Sequence, residues 1–354
     1  MGFRLQRYIR LGKFLRLNIS KSGVGVSAGF PGLRLSAGPR GSFINLGLPG
    51  TGLSYRKKIG DHTLLDFSDI SDMLGSKNKE PQQVTAKSTA NQPEIPSPGF
   101  FAPFHEKALA KGVESYDRDN VDEALQYFLD AAPDEPGAAI LAAAILAEKD
   151  DKSYEPIQLL ENVIQSDGEF PTELMVEYLA DVTITIAITP KVSVDVPVDG
   201  LAATLLLVEL YQSQRRVREA IALLEEIIEL NSDPVLILSL CELYTSRDIW
   251  DGIIEIAKNT ESEDNVTLEI LIFYGRAMQE KEMHEAAISV YTKALRRTKD
   301  RNPLLLQEAA YWRALAYQAQ GKHRRANQEF QKLFADNPDF KDVRQRLQER
   351  AIRK

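Results

Sequence analysis

Apolar positions along the chain recur with two different periods, and the change falls close to residue 104. In the first 60 residues they alternate with small or polar positions inside short runs: Leu15, Leu17 and Ile19, then Val24 and Val26, Leu33 and Leu35, Ile44, Leu46 and Leu48, and Leu53 and Tyr55. A period of two is the signature of a strand with one buried face. Glycines and prolines 31, 39 and 49 punctuate the runs, so the pattern predicts a small all-β meander over 1–60. From Phe104 the apolar spacing becomes helical, and helix pairs recur at a longer period. Equivalent positions 124, 156, 220, 253, 287 and 326 lie 32, 64, 33, 34 and 39 residues apart. Such self-similarity predicts an α-solenoid over 104–338, closed by a polar capping helix over 339–354.

One gap is twice the period. Within it, Val182 to Ile188 and Val192 to Val198 alternate β-branched and polar residues on either side of Thr189-Pro190-Lys191. This predicts a β-hairpin over about 182–198, with Pro197 marking an edge strand. An isolated hairpin is marginal in water, so Ile184 and Ile186 are expected to pack on the chain's own helices, the alternative being a second copy or a partner strand. Between the two modules, 61–103 reads as a short amphipathic helix, carried by Leu64, Leu65, Phe67, Ile70, Met73 and Leu74, followed by a flexible polar tether. The whole is an α+β multidomain chain.

Charge sharpens this division. The net charge of −8 combines +11 in residues 1–60, where there is no Asp or Glu, with −3 in 61–103, −24 in 104–295 and +8 in 296–354. Arg16, Arg34 and Arg56 fall at the polar parity of their runs, so one face of the sheet is expected to be cationic. Together with Arg4, Arg40, Lys57 and Lys58 they are the candidate anion-binding residues, for a nucleic acid, an anionic lipid surface or the acidic repeats themselves.

The stretches Met1-Gly2-Phe3-Arg4, Leu17 to Val24, Gly38-Pro39-Arg40-Gly41 and Gly47 to Tyr55 resemble the bacterial domain of unknown function 4236 (DUF4236) along nearly all of residues 1–60. That resemblance implies a domain identity and no activity. Gly112, Ala124, Phe128, Ala131 and Pro136, then Gly275, Ala287, Tyr291 and Ala294, then Tyr317, Ala326, Phe330 and Pro338 are similar to the small and aromatic positions of the tetratricopeptide repeat. The repeat pattern implies a protein-binding groove lined by the first helix of each pair, with Glu209, Gln212, Arg276, Gln279, Tyr311 and Gln318 pointing into it. Ile272 and Tyr311 stand where a C-terminal carboxylate clamp wants Lys, and Arg276 and Leu315 where it wants Asn, so a chaperone tail is disfavoured. The acidic balance favours a basic partner.

Catalytic signals are weak. Gly47 to Ser54 imitates a phosphate-binding loop, but Leu53 stands in place of the required Lys and a strand follows instead of a helix. His62, His105, His284 and His323 are scattered without metal-ligand spacing, and Cys241 sits inside an apolar run. No cofactor or metal is called for. Cations interrupt every apolar run at the N-terminus, which argues against a signal or transmembrane segment, and the chain reads as cytoplasmic. The expected function is a non-enzymatic adaptor or scaffold, with a nucleic-acid-associated protein as the alternative.

Overall fold

The computed structural model describes residues 96–150, 153–166 and 170–352, with side chains to 348, and strand backbone within 4–59. The expected helix and tether over 61–95 lie outside the described residues. The chain divides into two units, one of residues 6–97 and one of 98–354 together with 1–5.

Strand backbone in the N-terminal part runs β1 (Arg4–Arg7), β2 (Ile9–Arg10), β3 (Leu15–Ser20), β4 (Gly23–Phe30), β5 (Leu33–Gly38), β6 (Gly41–Gly47) and β7 (Ser54–Ile59). Strands β2 to β7 pair antiparallel in chain order, with Arg16 opposite Ser27, Arg34 opposite Asn45 and Asn45 opposite Arg56.

Among the described residues the second unit is a helical-repeat solenoid of six pairs. Its first helices, here called A, are α1 (Phe104–Asp117), α3 (Pro136–Lys149), α6 (Gly200–Ser213), α8 (Pro234–Ser246), α10 (Asn265–Glu280) and α12 (Pro303–Ala319). Their B partners are α2 (Val121–Ala131), α4 (Glu155–Gln165), α7 (Val217–Leu230), α9 (Trp250–Ala257), α11 (His284–Ala294) and α13 (His323–Asp336), and α14 (Val343–Ile352) closes the array. The doubled gap holds α5 (Glu173–Tyr178) and a hairpin of β8 (Val182–Ala187) and β9 (Ser193–Pro197).

Local chemistry sets these boundaries. Most A helices start from a side-chain cap: Glu135, Asp199, Asp233 and Asn302 each accept from the first-turn N–H groups, and Asp264 forms a capping box with Thr267. Pro136, Pro234 and Pro303 occupy the first helical position, where a missing N–H costs nothing. The B helices have no side-chain cap. All but α4 are entered through tight turns in which Asp119, Arg215, Asp248, Glu282 and Gly321 sit at φ between 57° and 73°, two residues before the helix begins.

Small residues let the helices of a pair cross closely. Ala124, Pro156, Ala220, Ile253, Ala287 and Ala326, the positions that carried the period, are all buried. A Cβ placed on Gly112 would lie 2.6 Å from the Phe128 ring, and one on Gly275 would meet the Tyr291 ring closer still. Burial then separates the two kinds of helix. Helix α7 buries only Ala220 and Leu224 and keeps a solvent face, whereas nine consecutive residues of α3, Gly137 to Ile145, are buried. A helix buried around its whole circumference is covered on two sides.

The second cover is the insertion. Its strands pair in the register Ile184 opposite Val196 and Ile186 opposite Val194, and the hairpin packs on α6. Ile184 and Ile186 are 0% and 1% exposed, while Thr183 and Thr185 are half-buried, the parity that the alternation predicts.

Candidate functional site

Three glutamates occupy the same place in three A helices. Glu106, Glu269 and Glu308 each stand six residues before the small residue at the pair crossing, Gly112, Gly275 and Ala314. All three take a partner from the insertion. On α1, the Tyr178 hydroxyl of α5 donates to Glu106 at 3.0 Å. On α10, the Thr189 hydroxyl donates to Glu269 at 2.6 Å, and Lys191 Nζ approaches the other oxygen at 3.5 Å. On α12, Lys191 Nζ reaches Glu308 at 2.5 Å. The insertion therefore lies along the inner face of the A helices.

The turn that carries Lys191 is built for this. Thr189 Oγ1 accepts from the backbone N–H of Lys191 and of Val192, at 3.2 and 3.1 Å, so one hydroxyl both closes the turn and reaches Glu269. Asn302, the cap of α12, donates to the Lys191 carbonyl at 3.3 Å. Glu269 is 2% exposed, and its hydrogen-bonding and ion-pair partners both come from the turn. Glu308 has further support: Lys341 Nζ lies 3.1 Å away, and Trp312 Nε1 donates to it at 3.3 Å. Lys341 also covers the Tyr311 and Trp312 rings, and the Arg276 guanidinium lies 4.8 Å from the Trp312 centroid.

Burial and charge act differently on the carboxyls. Burial works to raise Glu308, but the two lysines outweigh it and hold the group below the ordinary carboxylate range. For Glu269 burial wins over Thr189 and Lys191, with repulsion from Glu308 adding to it, and the group titrates higher than usual. The two partners of Lys191 thus shift in opposite senses because only Glu308 has a second cation. Lys191 itself is held up by the pair against burial. Next to them on α8, Glu242 is pushed up to about 7 by burial first, then by Glu269 and Glu209, with Lys191 opposing.

The groove residues expected from the repeat pattern meet different fates. Glu209 and Gln212 are half-buried on α6, with Glu209 close enough to act on Glu242. Arg276 stacks on Trp312, Gln279 accepts from the Tyr291 hydroxyl at 2.5 Å, and Gln318 is exposed with Arg346 Nη1 at 3.4 Å. Tyr311 corrects the expectation of an open groove. It is 6% exposed, its hydroxyl donates to Asp342 at 2.7 Å, and its ring packs with Phe330 and Phe340, so it seals the capping helix onto the array. Glu106, Glu242, Glu269, Glu308, Lys191 and Lys341 were missed, although the shared offset of the three glutamates from the crossing residue is readable in the sequence.

Of the anion-binding candidates, Arg4, Arg16, Arg34, Arg56, Lys57 and Lys58 lie on strands β1, β3, β5 and β7, with side chains outside the described residues, and Arg40 lies outside them altogether. Among the described residues, no group of three His, Cys, Asp or Glu side chains is placed to hold a metal ion, and no helix is long and apolar enough to cross a membrane. Cys241 is fully buried, and burial pushes its thiol well above the ordinary range, as in a packing residue.

Residues 3–56 match the family model described as "Protein of unknown function (DUF4236)". The comparison with curated proteins gave no match. Among solved structures, the chain is similar to the N-terminal domain of the EccA1 ATPase from the ESX-1 secretion system of Mycobacterium tuberculosis, at 16% identity and a TM-score of 0.46 over 69% of this chain and 88% of that one. It is also similar to nearly identical TPR-like repeats from Podosopora anserina, at 18% identity and a TM-score of 0.28 over 66% of this chain and 92% of that one.

Proposed function

We propose that this protein is a non-enzymatic adaptor whose helical array holds a protein segment, with the basic N-terminal module engaging an anionic surface. The observation that carries the reading is the seating of a Lys-bearing turn on equivalent glutamates of successive A helices. Carboxylates repeated at one position recognise a basic, extended segment through charge-assisted bonds, which agrees with the −24 balance of 104–295. Among the described residues the cluster holds no activated nucleophile: its acids are matched by lysines or shifted upward by burial, and the single thiol is in the core.

The domain layout that goes with this reading is a β-rich module over 1–60, a linker over 61–103, the solenoid over 104–338 and a cap over 339–354. The buried side of the hairpin is committed to its own helices, which favours an unlike partner over pairing of two copies through the hairpin. The adaptor reading goes with a cytoplasmic setting.

A peptide array probed with the full-length protein tests the first half: Lys-containing segments should be retained and their Glu-substituted forms lost, and retention of neither would refute it. For the second half, the triple change Arg16→Gln, Arg34→Gln and Arg56→Gln should weaken binding to anionic vesicles, with a steep loss on raising salt. Eleven cations without an acid in 60 residues equally favour a nucleic acid at this module, and a gel shift with RNA and DNA in place of vesicles separates the two surfaces.

A further inference from the structure

The geometry points to the Glu269–Glu308 pair as a lysine-recognition site that the chain fills with its own Lys191, so that a partner's lysine gains it only when the turn Ile188 to Val192 swings out. This deepens the adaptor reading and rests on it. Among the described residues the polar partners of Glu269 both come from the turn: Thr189 and Lys191. A buried carboxylate whose only partners belong to a surface turn is a receptor for that turn.

The strands beneath are firmly held, since Ile184, Ile186, Val196 and Val198 are buried, so release of the whole hairpin would expose a large apolar surface. The turn is different. Pro190 is exposed, 34% of the Lys191 side chain remains in solvent, and of the apolar side chains only Ile188 and Val192 lose burial, together with the Thr189 hydroxyl, if the turn lifts. An incoming lysine replaces Lys191 like for like. The remaining cost, re-exposing two aliphatic side chains and giving up the Thr189–Glu269 bond, weakens the apparent affinity for a competitor by roughly 10²- to 10⁴-fold. Occupancy in cis therefore sets a threshold that a partner must exceed with contacts elsewhere.

The probe is a fluorescent, head-to-tail cyclised peptide of residues 186–194, added to the full-length protein and followed by anisotropy. Lys191→Ala, which leaves Glu269 buried beside only Thr189, is expected to bind this peptide at least tenfold more tightly than the unaltered protein. Thr189→Val keeps the lysine but removes the hydroxyl that closes the turn and reaches Glu269, and it should shift affinity in the same direction. A peptide with Met in place of Lys191 should lose binding to both variants, as should either variant carrying Glu269→Gln and Glu308→Gln. If the unaltered protein binds as tightly as the variants, the turn does not compete and this inference falls while the adaptor reading stands. If none binds, with helicity intact by circular dichroism, both fall. Should Lys191→Ala fail to fold, the Thr189→Val arm decides, and an unchanged affinity there overturns the inference.

Discussion

Glu242→Gln should stabilise the protein at pH 8 and do little at pH 4.5. Glu242 sits half-buried on α8, facing Glu209 on α6, Glu269 on α10 and Lys191 on the hairpin, and its carboxyl is pushed up to about 7. The sign follows from linkage. A carboxyl with a raised folded pKa keeps its proton in the native state while the unfolded chain has already lost it, so its effect is absent below about pH 4.5. As pH rises through about 7, folding comes to bear the full cost of the buried charge. A shift from 4.5 to about 7 corresponds to about 3 kcal/mol at 1.36 kcal/mol per unit, and solvent screening of this half-buried group reduces it to about 2 kcal/mol. The isosteric amide removes the charge and keeps the volume. For a unit of this size the gain is worth roughly 4–8 °C in melting temperature at pH 8. Thermal melts and urea midpoints of both proteins at half-unit pH intervals measure it. An equal shift at pH 5 and pH 8, or a loss at pH 8, would refute the argument, because only an ionisation cost has this pH dependence.

Glu269→Gln removes a second carboxyl that burial holds above its ordinary range despite Thr189 and Lys191, so by the same linkage it should raise stability at pH 8 and change little at pH 4.5, read in the same melts; a loss at pH 8 would count against the argument. Gly112→Ala places a methyl against the Phe128 ring and should cost about 1–3 kcal/mol, seen as a lower urea midpoint. Ile184→Asp should abolish cooperative unfolding or soluble expression, whereas Thr183→Asp should cost less than about 1 kcal/mol, since only the first side chain is buried; equal tolerance of the two would contradict the hairpin packing. Glu282→Gly relieves a non-glycine residue at φ 59° and should raise the midpoint by an amount equivalent to about 1 kcal/mol.

Much of the helical unit was legible without coordinates because its determinants are local. The small residue at each crossing, the Pro and Asp or Asn at A-helix starts, and the two-residue alternation of the hairpin are all set by near neighbours in the chain, through sterics, capping and the pleat. Even the anomaly of a doubled gap announced an insertion. Where that insertion goes was not legible. Nothing local says that Lys191 reaches Glu269 and Glu308, 78 and 117 residues away, because an isolated hairpin carries no record of the surface that buries it. The same holds for Tyr311, which the repeat offset assigns to an open groove and which the capping helix instead covers through Asp342. Periodicity determines which face of a helix points inward, but a face pointing inward is a binding groove only if no other part of the chain lies on it. That depends on long-range complementarity of shape and charge, which is decided when the chain closes on itself.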